Sequence, residues 1–149
     1  MESIGNSSLL DRRKIGFLAG SKIAPLSVLP TLDWASEVAT REDISIISGF
    51  HSQFERQVFD LLLKGKCGII SVLARSLYSK VPTEYKSAFD CGRVLFITEE
   101  KQSRATKESS YRRNRLIGAL SDELYIPEIS KESSINKLLS IFNKPIFYL

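Results

Sequence analysis

Arg112, Arg113, Asn114 and Arg115 form the densest group of chemically active side chains in this sequence. Ser109 and Ser110 precede them, and a run of small and apolar residues ending at Ser121 and Asp122 follows, so the stretch reads as a helix whose first turn is loaded with arginine. That is the unfavourable end for cations. A helix N-terminus carries roughly +0.5 of an elementary charge, and arginines there lose stability unless an anion sits between them. The free N–H groups of the same turn favour such an anion, with Ser109 or Ser110 capping one of them and the rest open to a phosphate oxygen. The turn reads as a phosphate seat, although arginines fanning into solvent give the same pattern and this stretch alone does not separate the two. Tyr111, beside the arginines, is placed to stack on a base.

The charge distribution points the same way. The formal net charge is +4, yet residues 101–115 alone carry +5, from Lys101, Arg104, Lys107 and the three arginines against Glu108, which leaves the rest of the chain at −1. A local basic segment of this kind suits a polyanionic partner, with Glu99 and Glu100 just before it diluting the field. Residues 100–108 read as a mobile loop. At 149 residues, 43% hydrophobic and 26% charged, the chain has the composition of one globular domain with a real core. No apolar run reaches the roughly 18 residues of a membrane span, and the first residues lack the layout of a signal peptide, so a cytoplasmic location is expected. Cys67 and Cys91 lie far apart without metal-ligand spacing and are expected as buried thiols. His51, the single histidine, has no cysteine or histidine neighbour, which argues against zinc; no metal and no cofactor are expected.

The elements that must position these residues follow from periodicity. Residues 1–13 are polar and read as a flexible N-terminal arm, with a single domain over 14–149. Short apolar runs at 14–19, 44–48, 68–74, 94–97, 123–126 and 146–149 read as strands buried on both faces. Between them lie helical patterns. Pro30 opens the first. Ser52 and Glu55 form a capping box at the start of the second, whose Phe54, Val58, Leu61 and Leu62 make a core-facing stripe. Pro82 opens the third, with Tyr85, Ala88 and Phe89 inward, and the arginine helix is the fourth. After a turn at residues 130–134, Ile135, Leu138, Leu139 and Phe142 mark the fifth. About six strands alternating with five helices predict an α/β fold of three layers, a mostly parallel sheet with helices on both faces joined by right-handed crossovers.

Open parallel sheets bind ligands at the C-terminal ends of their strands. The first strand delivers Gly20, Ser21 and Lys22 there, the second Ser48, Gly49, Phe50, His51 and Ser52, and the third Arg75 and Ser76. Glycines that admit a close ligand, with hydroxyls and helix starts beside them, suit phosphate or ribose, although ordinary strand-to-helix turns need the same residues. Several common chemistries are absent as motifs. Neither G-x-G-x-x-G nor G-x-x-x-x-G-K-[ST] occurs, and no G-x-S-x-G elbow surrounds His51, Ser48 and Ser52. Glu55, the one carboxylate near a strand end, reads first as the capping-box partner. Trp34 and Tyr85 fall on core-facing helix positions.

Together, Gly20-Ser21-Lys22, Ser48-Gly49-Phe50-His51-Ser52 and the segment from Arg113 to Asp122 resemble the DNA-processing protein A family (DprA, also called Smf). More widely, they resemble the Rossmann-like superfamily that this family shares with the cytokinin-activating phosphoribohydrolases. The likeness covers residues 14–149 and implies a single-domain, Rossmann-like version of the family. Its most specific part, Arg113-Asn114-Arg115 followed by small residues and Ser121-Asp122, lines the nucleic-acid pocket in that family. The chain departs from the pattern early in the second helix, where Gln53, Glu55 and Phe59 stand, and at Ser130 to Ser134. It also lacks the PGG-x-GT motif of the phosphoribohydrolases, whose catalysis is therefore not implied.

The expectation is a non-enzymatic DNA-processing protein that binds single-stranded nucleic acid. Its phosphate-binding set is Gly20, Ser21, Lys22, Ser48, Gly49, Phe50, His51, Ser52, Arg75, Arg112, Arg113, Asn114 and Arg115. The alternative is a sensor of a nucleotide-derived small molecule in the same pocket, and a nucleoside-phosphate hydrolase using Glu55 is a third. The resemblance also implies a homodimer, and the terminal strand at 146–149 offers an edge for pairing.

Overall fold

A computed structural model describes residues 1–127 and 133–149. The turn expected at Ser130 to Ser134 lies for its first three residues outside the described residues. Six parallel strands run as expected: β2 (Arg13–Phe17), β3 (Ile44–Ser48), β4 (Gly68–Leu73), β5 (Val94–Thr98), β6 (Glu123–Ile126) and β7 (Ile146–Tyr148). A seventh, β1 (Glu2–Gly5), was not expected; it pairs antiparallel with β5, and the sheet order is β1-β5-β4-β3-β2-β6-β7. Every residue of β3, β4 and β5 is buried. Their sequences are apolar on both faces because both faces are covered by helices.

One face packs α1 (Val28–Val38), α2 (Gln53–Leu63) and α3 (Lys86–Asp90), burying Ala35, Val58, Phe59 and Ala88 on Ile46, Ile69 and Phe96. The other packs α4 (Lys107–Leu120) and α5 (Ile135–Ile141), where Ile117, Ile135 and Leu138 meet Ile47, Ile70 and Val72. The alternation of Ile46 and Ile47 between the two cores is the period of two of a strand read directly in packing. From β2 the chain moves outward through β3 and β4 to β5, then returns by α4 to add β6 on the opposite side of β2. The order therefore reverses between β2 and β6, and a crevice opens there at the strands' C-terminal ends.

The N-terminal stretch corrects the expectation of a flexible arm. After β1, the Asn6 side chain accepts from the N–H of Ser8 and caps a 3-10 turn (Ser7–Asp11), while its Nδ2 donates to Gly92 O at 2.7 Å. Leu9 in that turn is fully buried. The segment has too few apolar residues to show a period, and its order comes from the free edge of β5 and the floor of the core. Other boundaries shift by a turn or less. A 3-10 turn (Pro25–Ser27) leads into α1, so Pro30 stands in the first turn, where a missing N–H loses nothing, and not at its opening. The third helix is a 3-10 turn (Thr83–Tyr85) running into the short α3. Cys67 is buried as expected, but Cys91 at the end of α3 is exposed. Tyr85 is core, while Trp34 is half-buried and stacked between Phe17 and Tyr125.

Candidate functional site

Glu55 organises the crevice. It is buried on the first turn of α2, where Oε1 accepts from the N–H groups of His51 (2.9 Å) and Ser52 (3.1 Å) and the Ser52 hydroxyl accepts from the N–H of Glu55, completing the expected capping box. Its other oxygen reaches across to β2 and accepts from the N–H of Ala19 at 3.0 Å. One carboxylate thus ties the loop after β2 to the loop after β3, both of which line the crevice together with α4 and the start of α5, and it is satisfied by backbone donors on both oxygens.

The loop after β3 is shaped for a single neighbour. A methyl group on Gly49 would stand 2.5 Å from Nη1, 2.7 Å from Cζ and 2.9 Å from Cδ of Arg113, so glycine is what lets that arginine lie against the loop. Phe50 follows at φ 46°, the one described non-glycine residue in the left-handed region, with its ring buried on Phe59. A bulky side chain in that region is strained, and such strain persists only where the surroundings fix it. Ser48 Oγ accepts from the N–H of Phe50 at 3.2 Å and is itself fully buried, so it shapes the loop and does not face the crevice.

Arg113 is the unusual residue. It is 9% exposed, and its Nε donates to Asn114 Oδ1 at 2.8 Å, but it forms no ion pair among the described residues. Burial pulls the guanidinium below its ordinary value, and the nearby Glu55 carboxylate opposes that shift. A desolvated cation whose carboxylate neighbour among the described residues, Glu55, is occupied by backbone N–H groups is a ready seat for an anion.

Two cavities meet at Arg113. A cleft of about 440 Å³ brings it together with Asn114, Gly20, Ser21, Lys22, His51 and Ser52, and Ser110 also lines it. A more enclosed chamber of about 270 Å³ lies on the other side of the Gly49–Phe50 loop and includes Arg75, whose guanidinium stacks over the Tyr78 ring at 4.6 Å. Arg112 and Arg115 are not brought to either. They line a separate groove with Glu99 and Glu100, where Arg112 Nη2 and Nε donate to Glu100 at 2.6 and 3.0 Å. That hydrogen bonding holds the Glu100 carboxyl below the usual carboxylate range. Tyr111 faces a third groove, beside Lys107 and Lys137.

The reading of the arginines as first-turn residues is corrected here. The helix starts at Lys107, and the first turn is closed by Thr106 and Ser109: the Thr106 hydroxyl accepts from the N–H of Ser109 and Ser109 Oγ accepts from the N–H of Thr106. The arginines fall in the second and third turns, where the dipole has largely decayed. The cationic seat at Arg113 arises from burial instead. Ser110, three residues before Arg113 on the same helix face, was missed, and the i, i+3 spacing was the available signal.

Among the described residues no group of His, Cys, Asp and Glu is placed to hold a metal, and no helix is long and apolar enough to cross a membrane. A mostly parallel sheet between two layers of helices, with its strand order reversing beside β2, gives the chain a Rossmann-like fold. Within that class it belongs to the DNA recombination-mediator protein A family, which it matches over residues 3–136. No curated protein matches the chain. Among solved structures it is similar to DNA processing protein A from Helicobacter pylori, a protein described for its single-stranded DNA binding mode, at 29% identity and a TM-score of 0.77 over 98% of this chain and 69% of that one. DNA processing protein A from Streptococcus pneumoniae is similar in fold at 17% identity and a TM-score of 0.75. The match covers 98% of this chain, which spans about half the length of the Streptococcus protein, 53%.

Proposed function

We propose that the chain is a non-enzymatic binder of single-stranded DNA that seats a backbone phosphate on Arg113 in the cleft between the loops after β2 and β3. The observation that carries this reading is the buried Arg113 guanidinium, which forms no ion pair among the described residues and lines a cleft that also holds Lys22, Ser21, Ser52 and Asn114. Family membership and the described binding mode of the Helicobacter relative support it. Arg112 and Arg115, with Lys101, Arg104 and Lys107, supply a surrounding field and not the seat. A nucleotide-derived small molecule is the second reading, favoured by the small size of the chamber beside Arg113.

The test is fluorescence anisotropy of the full chain with a labelled single-stranded oligonucleotide across a range of salt, with unlabelled mononucleotides as competitors. Affinity falls with salt, the slope growing by about 0.7 for each phosphate neutralised on a single strand. Arg113→Ala lowers affinity on the order of tenfold or more and flattens the slope by about 0.7. An unchanged slope in a folded Arg113→Ala chain refutes the seat. Displacement of the oligonucleotide by one equivalent of mononucleotide selects the second reading.

A further inference from the structure

A second group of cations gathers at the opposite pole of the sheet, where the parallel strands begin. Arg12 precedes β2, Lys64 and Lys66 are exposed in the turn before β4, and Arg93 precedes β5. They come from separate stretches of the chain, so no run of charge announces them. None of the four forms an ion pair among the described residues. Of the carboxylates on the adjoining turns, Asp43 is held by Arg41 at 2.8 Å and Asp90 by Lys86 at 3.0 Å, while Asp11 and Glu42 are exposed.

Arg93 has a structural explanation. Its Nε donates to Cys67 O at 3.0 Å, and its Nη1 and Nη2 donate to Leu63 O and Leu62 O at 3.2 and 2.7 Å, closing the C-terminus of α2, where the helix dipole favours a cation. Arg12 has no such partners. It is half-buried against the start of β4, where a methyl group on Gly68 would stand 3.3 Å from its Nη1, beside Leu9 Cδ2 and Ser45 Oγ. That Nη1 is buried without an acceptor, one of two such side-chain atoms among the described residues. Burial raises the Cys67 thiol above its ordinary value, and Arg93 and Arg12 both pull it back, which sets the two guanidiniums around one side chain. An unpaired buried donor on a charged group is costly, and a fold that keeps one calls for a partner from outside the chain.

Charge sets the class of that partner. Water satisfies the donor but leaves the cation uncompensated. A planar guanidinium fits a carboxylate or a phosphate equally in shape. A carboxylate brings one negative charge, whereas a terminal phosphate brings about two, with three strong acceptor oxygens, and so suits an arginine with two lysines on the turn beside it. We infer that Arg12, with Lys64 and Lys66 beside it, seats a doubly charged phosphate at the N-terminal pole of the sheet, either free phosphate or the terminal phosphate of a nucleic-acid strand. This site uses neither Arg113 nor the cleft and stands apart from the proposed function.

The test is thermal unfolding of the full chain in phosphate and in chloride at matched ionic strength, at about pH 8, where phosphate is doubly charged. Arg113→Ala is the background, so that the cleft does not contribute. Phosphate at several times its Kd raises the Tm of Arg113→Ala by about 2–4 °C, and adding Arg12→Met abolishes the shift. In chloride Arg12→Met does not lower Tm, because the guanidinium it removes bonds to nothing within the chain; a merely structural arginine would lower Tm equally in both salts. Absence of a shift in Arg113→Ala, or a shift that survives Arg12→Met, overturns the seat and leaves the reading of Arg113 untouched. Should the double variant not fold, phosphate titrated into isotope-labelled wild type moves the amide resonances of Cys67 and Gly68; movement confined to Ser21, Lys22 and Ser52 overturns the seat. The same resonances separate the two sources. A short strand with a 5′-phosphate moves them at lower concentration than its 5′-hydroxyl counterpart if the ligand is a strand end, and neither strand moves them if it is free phosphate.

Discussion

Arg113 and Gly49 act as one unit. The arginine lies where a side chain at position 49 would be, with even its Cδ inside the space a methyl needs, so the clash falls on the middle of the side chain and bending its tip does not relieve it. Gly49→Ala therefore moves the guanidinium out of the cleft without touching its charge. The expected outcome is a chain that folds, retains its overall basicity and loses most of the affinity that Arg113→Ala loses. Anisotropy at one salt concentration measures it, and wild-type affinity in Gly49→Ala would show that the position of Arg113 is immaterial. At this scale the sequence grouped Arg112, Arg113 and Arg115 as one cluster, and the structure separates Arg113 from the other two. Helical geometry turns by about 100° per residue, so Arg112, Arg113 and Arg115 diverge. The clue that Arg113 alone of the three arginines faces inward was its place four residues before Ile117, which is fully buried. Depth of burial itself leaves no mark in a string of three arginines.

Among elements, the loop from β5 into α4 shows why helix starts were the least legible feature. Ser52 and Glu55 carry the usual capping-box residues and were readable, whereas Thr106 is answered by Ser109 in place of a glutamate or glutamine. Placing the N-cap at Thr106 and not at Ser109 or Ser110 moves the arginines out of the first turn. The same loop is tied to the helix by Glu100, whose carboxyl sits below the ordinary range because it accepts from Arg112, with a smaller contribution from Gln102. The depressed folded value fixes the sign: the tie contributes fully above the unfolded carboxylate value of about 4.3 and is lost as pH falls through the folded value. Urea unfolding of wild type and Glu100→Gln at several pH values measures this. Wild type is the more stable near neutrality, and the difference shrinks towards zero below about pH 4. A difference that does not vary with pH would show that the ion pair contributes nothing; exposure of Arg112 keeps the effect small in any case.

For the molecule as a whole, six parallel strands and the helices between them were legible because each strand is a dense apolar run and each long helix has a stripe or a capping residue. Those signals are strong when an element is covered on both sides. The N-terminal segment is covered on one side only: β1 is exposed at every residue but Ile4, and its partner is the outer edge of β5. Local sequence carries little trace of such an element, since its stability comes from the rest of the fold. Yet the segment is not peripheral in energy. Leu9 is fully buried in the same core as Leu95 and Ile97, its Cδ2 fills the space against Gly68, and its carbonyl accepts from Ser45 Oγ at 2.9 Å. Leu9→Ala should therefore destabilise the chain by about 2–5 kcal/mol, the range for emptying a core leucine site. Residues of a loose arm would give changes within about 0.5 kcal/mol. Equilibrium urea unfolding separates the two outcomes. Because Leu9 lies at the far end of the strands from the cleft, oligonucleotide affinity under conditions where Leu9→Ala remains folded should match wild type, so a loss of binding in the folded variant would mean that the N-terminal floor and the phosphate seat are coupled through the sheet.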